Sequence, residues 1–218
     1  TSKPIHSLPG ALYDPPVSPI TSFLDTQGIC IAIPGSIDPL RRNYEDVLQL
    51  IQLAESDQIP LRIYLAGGPT TLQGQKLFNR FQQLKLHYVK LVISSDPFLP
   101  VAEFEHQLAA SHFIWVPCQP GIRLPLGEPE IYGKTKSSGG VLDAIRFAKP
   151  LCIPRSLGLD SIQESAAFRY THISELLQFF KEMRSNPSSY AAWEKRALRM
   201  AHQFTPEVLV QRFFRVFP

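Results

Sequence analysis

Two kinds of apolar run alternate along the chain. Ile29–Pro34 (ICIAIP) is apolar without interruption, the pattern of a strand buried on both faces. Gly35-Ser36 ends it, and Ile37–Arg42 reads as a loop. From Asn43 to Ser56 the apolar positions Tyr44, Val47, Leu48, Ile51 and Ala54 recur at helical spacing, with Asn43 or Asp38 as the cap. Leu61–Ala66 predicts a second strand, closed by Gly67-Gly68-Pro69. Thr71–Leu84 predicts a helix with Leu72, Leu77, Phe78, Phe81 and Leu84 on its apolar side. Tyr88–Ile93 is a third strand, Val101–Ala110 a short helix and His112–Val116 a fourth strand. Gln119–Glu130 is rich in proline and glycine and reads as a long, irregular, exposed loop. Tyr132–Pro154 then predicts a loop, a helix through Val141, Leu142, Ile145 and Ala148, and a strand at Leu151–Ile153. Ala167–Tyr170 is a sixth strand. Ser174–Arg184, Ser188–Phe204 and Glu207–Phe217 complete the chain as helices, with Pro206 in a first turn, where it is tolerated.

Strands alternating with helices predict an α/β fold: a Rossmann-like three-layer sandwich whose parallel six-stranded sheet has Ile29–Pro34 at its centre. Its crossovers should be right-handed. Residues 1–28 form a proline-rich lead-in, 29–186 the Rossmann-like domain and 187–218 its closing helices. The 218 residues suit such a unit, and 44% hydrophobic against 19% charged residues supplies a core and excludes disorder. The chain begins at Thr1 rather than Met, which reads as the start of a piece of a longer protein. A net charge of +3 is too weak to imply nucleic acid. Cys30, Cys118 and Cys152 each sit in or beside an apolar run, too far apart for a zinc pattern or a disulfide framework, and read as buried thiols. No stretch is long and apolar enough to span a membrane, and no signal peptide is visible. The six histidines are scattered without metal-ligand spacing, so no metal is expected. Neither a G-x-S-x-G elbow nor a GxxxxGK[ST] loop occurs. The lack of GxGxxG after the first strand argues against a dinucleotide-binding dehydrogenase.

In parallel sheets ligands bind outside the carboxyl ends of the strands. Two loops at that edge carry chemistry. Arg41-Arg42 end the loop after the first strand, and guanidinium groups match phosphate oxygens bidentately. The alternative is a pair of solvated arginines, although cations near a helix N-terminus oppose its dipole. Ser137-Ser138-Gly139-Gly140 precede a helix, where glycine lets a ligand approach the backbone and the first amides suit a phosphate. Lys134 and Lys136 stand just upstream. An ordinary helix cap accounts for the same residues equally well. Asp143 lies near the start of that helix, either to accept hydrogen bonds from ribose hydroxyls or simply to favour the helix dipole.

With these residues in order, the chain resembles the C-terminal, donor-binding domain of a GT-B glycosyltransferase, close to the family-4 group. The segments that carry the resemblance are IAIPGSIDPLRRNYEDVLQLI, LRIYLAGG, LAASHFIWVP, SGGVLDAIRFAKPLCIP and the closing stretch from Arg169. The resemblance implies a hexose transferase that takes a nucleoside-diphosphate sugar, UDP- or GDP-linked, without a metal or other cofactor. Gly35, Ser36, Arg41, Arg42, Lys136, Ser137, Ser138, Gly139 and Gly140 would hold the donor diphosphate. Asp143 and Thr135 would contact the ribose or donor sugar. The family carries two glutamates separated by seven residues; Asp143 matches the second, and Thr135 stands at the first, which leaves the sugar and the catalytic role open. The acceptor would sit on a missing N-terminal domain, in a cytoplasmic protein with peripheral membrane contact open through that domain, and the fragment alone would be weakly active or inactive. Two further readings stand beside this one: a non-catalytic nucleotide-sugar-binding subunit acting through a partner, and a nucleotide-sugar epimerase of the same fold. The aromatic tail Phe204, Phe213, Phe214 and Phe217 either faces the missing domain or packs on the chain's own sheet.

Overall fold

The computed structural model describes residues 28–119, 121–122 and 127–216. Apart from Gly28, the proline-rich lead-in lies outside them, as does Phe217. The main sheet is built from β1 (Ile29–Pro34), β2 (Leu61–Ala66), β3 (Val89–Val92), β4 (Phe113–Trp115), β7 (Leu151–Pro154) and β8 (Ala167–Tyr170). Its order is β3-β2-β1-β4-β7-β8, and every pairing is parallel. Ile31 stands between Ile63 on one side and Phe113 on the other, so β1 is central.

Alternation along β1 explains why six apolar residues in a row are needed. Ile29, Ile31 and Ile33 face one cluster, made with α1 (Tyr44–Ser56), α2 (Leu72–Gln82) and α6 (Ile173–Ser185). Cys30 and Ala32 face the other, made with α3 (Val101–Ala109), α4 (Gly139–Arg146) and α7 (Pro187–His202). Helices therefore cover both faces of a doubly buried sheet. Helix α7 contributes Tyr190 to the first cluster and Ala197 and Met200 to the second, which ties the closing helices into the same core.

Two expectations are corrected and one short element is added. The stretch Gln119–Glu130 is not wholly irregular: Gly121–Ile122 (β5) pairs antiparallel with Glu130–Ile131 (β6). A short helix, α5 (Ser161–Glu164), precedes β8, started by a capping box in which Asp160 accepts from the Gln163 amide. Leu72 does not join the apolar side of its helix; it is 83% exposed because it opens α2 at the sheet's edge. The chain closes with α8 (Pro206–Val216), where Leu209 is buried while Phe213 and Phe214 are exposed; Phe204, just before it, packs inside.

The loops at the carboxyl ends of β1, β2 and β3 touch one another through their backbones. The Gly35 amide donates to Ala66 O at 3.2 Å and the Ile37 amide to Gly68 O at 2.9 Å. Gly68 in turn packs against the carbonyl of Asp96. This edge carries the site.

Candidate functional site

The strand order reverses between β1 and β4, and a parallel sheet opens a crevice at such a point. Helix α4 fills its back. An added Cβ on Gly140 would lie 2.9 Å from Val116 Cγ2 and 3.1 Å from Pro34 Cγ, so glycine is what lets the helix start against the ends of both strands. Gly139 has open space around it. Both are helical residues rather than a preceding turn, as the sequence pattern had placed them. Their amides have no hydrogen-bond partner among the described residues, because the Val141 and Leu142 amides are the first to bond back, to Ser138 O at 3.1 and 3.4 Å. A helix start with open donors is an anion site in outline.

Arg42 enters the crevice from β1. Its Nη2 donates to Pro34 O at 2.6 Å and its Nη1 to Ser36 O at 3.0 Å. The guanidinium lies over Gly35, whose φ of +93° and whose Cβ position, 2.3 Å from Nη2, both call for glycine. Two of the five guanidinium donors thus hold the strand end, which fixes the cation and leaves donors for a ligand. Tyr44 adds a second anchor on the same loop, donating to Ser36 O at 3.0 Å; burial pushes its phenol up to about 12.

Asp143 faces this cation from one turn inside α4. Burial pushes its carboxyl up to about 6, while the charges of Arg146 and Arg42 pull the other way. No hydrogen-bond donor among the described residues reaches it. A half-buried, unpaired carboxylate beside a fixed guanidinium is an acceptor awaiting a donor.

Among the residues singled out from the sequence, the structure brings Gly35, Arg42, Ser138, Gly139, Gly140 and Asp143 together. Others are directed elsewhere. Arg41 is half-exposed, with Nε 3.2 Å from Asp38 Oδ2. Lys136 pairs with Glu130 of the β5–β6 ribbon. Thr135 Oγ1 accepts from the Ile131 amide at 2.8 Å, which closes the tight turn at 131–136. Ser36 contributes its carbonyl to Arg42 and Tyr44. Ser137 is exposed beside a pocket of about 320 Å³ between residues 133–138, the first turn of α4 and residues 157–163. Lys134, Thr135 and Lys136 line that pocket opposite Asp160 and Gln163.

Cys118 and Tyr132 were not foreseen as site residues. Both are buried, and burial raises both their pKa values, with Arg42 lowering each. Cys118 Sγ lies 3.6 Å from Ser138 Oγ, which joins the β4 loop to α4. The one hint in the sequence was their place on either side of the long loop after the fourth strand, at the sheet's carboxyl edge. Among the described residues no group of three or more His, Cys, Asp or Glu side chains could hold a metal ion. Nor is any described helix long and apolar enough to cross a membrane.

No family model and no curated protein matches the chain. Solved structures do. TarM, known from S. aureus, aligns over 99% of this chain and 37% of its own length, at 11% identity and a TM-score of 0.57. HepE of Anabaena in complex with UDP-glucose aligns over 87% of this chain and 48% of its own, at 14% identity and a TM-score of 0.57. Sucrose-phosphate synthase of Thermosynechococcus elongatus aligns over 89% and 46%, at 15% identity and a TM-score of 0.56. The likeness is one of fold. The chain is a Rossmann-like α/β unit of the kind that forms one half of a GT-B structure. It spans between about a third and a half of the length of the structures it matches.

Proposed function

We propose that this chain is the donor-binding half of a glycosyltransferase that takes a nucleoside-diphosphate sugar. The observation that carries the reading is the pair of open amides at Gly139 and Gly140, set against the ends of β1 and β4 with the Arg42 guanidinium alongside. Two N–H groups and a fixed cation suit the two phosphates of a diphosphate, and Asp143 offers the acceptor that a ribose needs. The solved structures of like fold are GT-B glycosyltransferases, and one of them holds UDP-glucose, which supports the same ligand class.

In this reading the chemistry is electrostatic. As the sugar leaves, negative charge collects on the diphosphate, and donors already fixed in place stabilise it without reorganising. The pocket beside Thr135, Asp160 and Gln163 is of a size for the sugar. The acceptor arrives on a second half. Four apolar side chains stand on the carboxyl-edge loops or the helix starts that follow them: Leu40, Leu72, Phe98 and Val101, between 70% and 83% exposed. Exposed apolar side chains gathered at one edge of the sheet are what such an interface needs.

A second reading is a nucleotide-sugar-binding subunit without turnover. It is favoured by Thr135, whose hydroxyl is engaged by Ile131 where the resemblance calls for a carboxylate. Calorimetry with UDP, GDP and ADP tests the shared part of both readings. Binding of at least one is expected, and Arg42→Gln should weaken it by about 1.5–3 kcal/mol, the range for hydrogen bonds to charged groups. Arg41→Gln should have the smaller effect. No binding by any of the three diphosphates rules out the donor site. Binding without sugar transfer by the full-length protein, given an acceptor, favours the subunit reading.

A further inference from the structure

Resting on the donor-binding reading above, we propose that Cys118 is a positioning residue that draws the Ser138 hydroxyl away from α4 and so keeps the first amides of the helix open to a diphosphate. Serine at the N-cap ordinarily turns its hydroxyl back to accept from an amide two or three residues on. Ser138 has the extended backbone that a cap requires, with φ −91° and ψ 126°, yet its side chain makes no cap hydrogen bond. The hydroxyl instead lies 3.6 Å from Cys118 Sγ, and both residues are buried, 8% and 7% exposed.

The thiol is held by its own backbone. The Cys118 amide donates to Val116 O at 2.8 Å, the next amide donates to Arg41 O at 3.0 Å, and Cys118 forms an isolated antiparallel bridge with Arg42. The same backbone therefore places the cation and the group that restrains the cap. Burial keeps the thiol neutral, so it supplies a weak donor and acceptor without charge. The consequence is local and directional. With Sγ present, the Gly140 amide has no hydrogen-bond partner among the described residues. With Sγ removed, the hydroxyl is free to rotate onto that amide and compete with a phosphate oxygen for it.

Cys118→Ala should therefore lower affinity for UDP about fivefold and slow hydrogen exchange of the Gly140 amide by about the same factor, since a serine cap is worth about that much. Inorganic pyrophosphate should show the same loss, because the competition is for a phosphate contact. Cys118→Ser, which keeps a partner for Ser138, should retain the wild-type affinity. Adding Ser138→Ala to Cys118→Ala should recover most of the loss. Melting curves show which variants fold, and Cys118→Val replaces Cys118→Ala if the smaller side chain does not. Unchanged UDP affinity in a folded Cys118→Ala protein overturns the proposal, and so does a loss that persists in the double variant. If the wild-type protein binds none of UDP, GDP and ADP, the donor reading fails by itself, and the exchange measurement alone decides the role of Cys118: no slowing at Gly140 overturns it.

Discussion

Single side chains at this site are set against the stability of the fold. Asp143 has a carboxyl raised to about 6, whereas in the unfolded chain it titrates near ~3.9. The native state therefore holds the proton between those two values while the unfolded state has released it. Stability from this group falls as pH rises through that window, and above it the buried charge is a full penalty. Asp143→Asn should raise stability at pH 7–8 by about 1–3 kcal/mol, with the gain fading as pH falls from about 6 and nearly gone by about pH 4. The same variant should bind UDP more weakly, and wild-type affinity should climb as pH passes 6, where the carboxylate forms. Melting curves and calorimetry across pH 4–8 check both halves; a flat difference between the two proteins would show that Asp143 is solvated. Asp143, Arg42 and Gly140 were legible in the sequence because each stands where a strand end meets a helix start. Cys118 and Tyr132 were not. Their roles depend on neighbours on other segments, such as Ser138 twenty residues beyond Cys118, and no spacing rule reports such a pair.

Elements were legible in proportion to their length and burial. All six strands of the sheet appear in the sequence to within a residue or two: β1, β4 and β7 as the unbroken apolar runs that a strand covered on both faces needs, and β2, β3 and β8 as short apolar-rich runs interrupted by Arg62, Lys90 and Arg169. The β5–β6 ribbon has two residues on each strand, too few to show any period, and proline and glycine around it read as loop. Helix α4 was drawn from Val141 onward, since two glycines have poor helix propensity. Packing overrides propensity there: only glycine fits between α4 and the tips of β1 and β4. Gly140→Ala should accordingly destabilise the protein by about 1–3 kcal/mol, the usual result of forcing a methyl group into a packed contact. Gly139→Ala, which meets nothing within 4 Å, should be neutral or slightly stabilising. Chemical denaturation of the two variants measures the contrast, and equal effects would mean that α4 can shift to make room.

Among the described residues the molecule is a helix-covered sheet whose carboxyl edge exposes apolar side chains. Leu72 and Phe98 are its most exposed large apolar residues among those described, at 83% and 80%. Replacing both with glutamate should change stability by no more than about 0.5 kcal/mol per site, as for exposed positions generally. It should also reduce self-association and apolar dye binding by the isolated chain. Sedimentation and melting together test this; a large loss of stability would mean that the edge is packed, not waiting. The three cysteines give the protein a set of built-in clocks. All are buried, and Cys152 sits on β7 between β4 and β8 with its thiol far above the usual range. A thiol-modifying reagent can reach Cys152 only when the sheet comes apart, so its rate of labelling times the opening of the whole fold. Cys118 lies at the crevice, and its labelling times the local breathing of α4 against the β4 loop. Saturating UDP should slow both clocks by about the same factor, since both openings must release it, whereas a ligand that stabilises the fold without closing the crevice would slow the Cys152 clock alone.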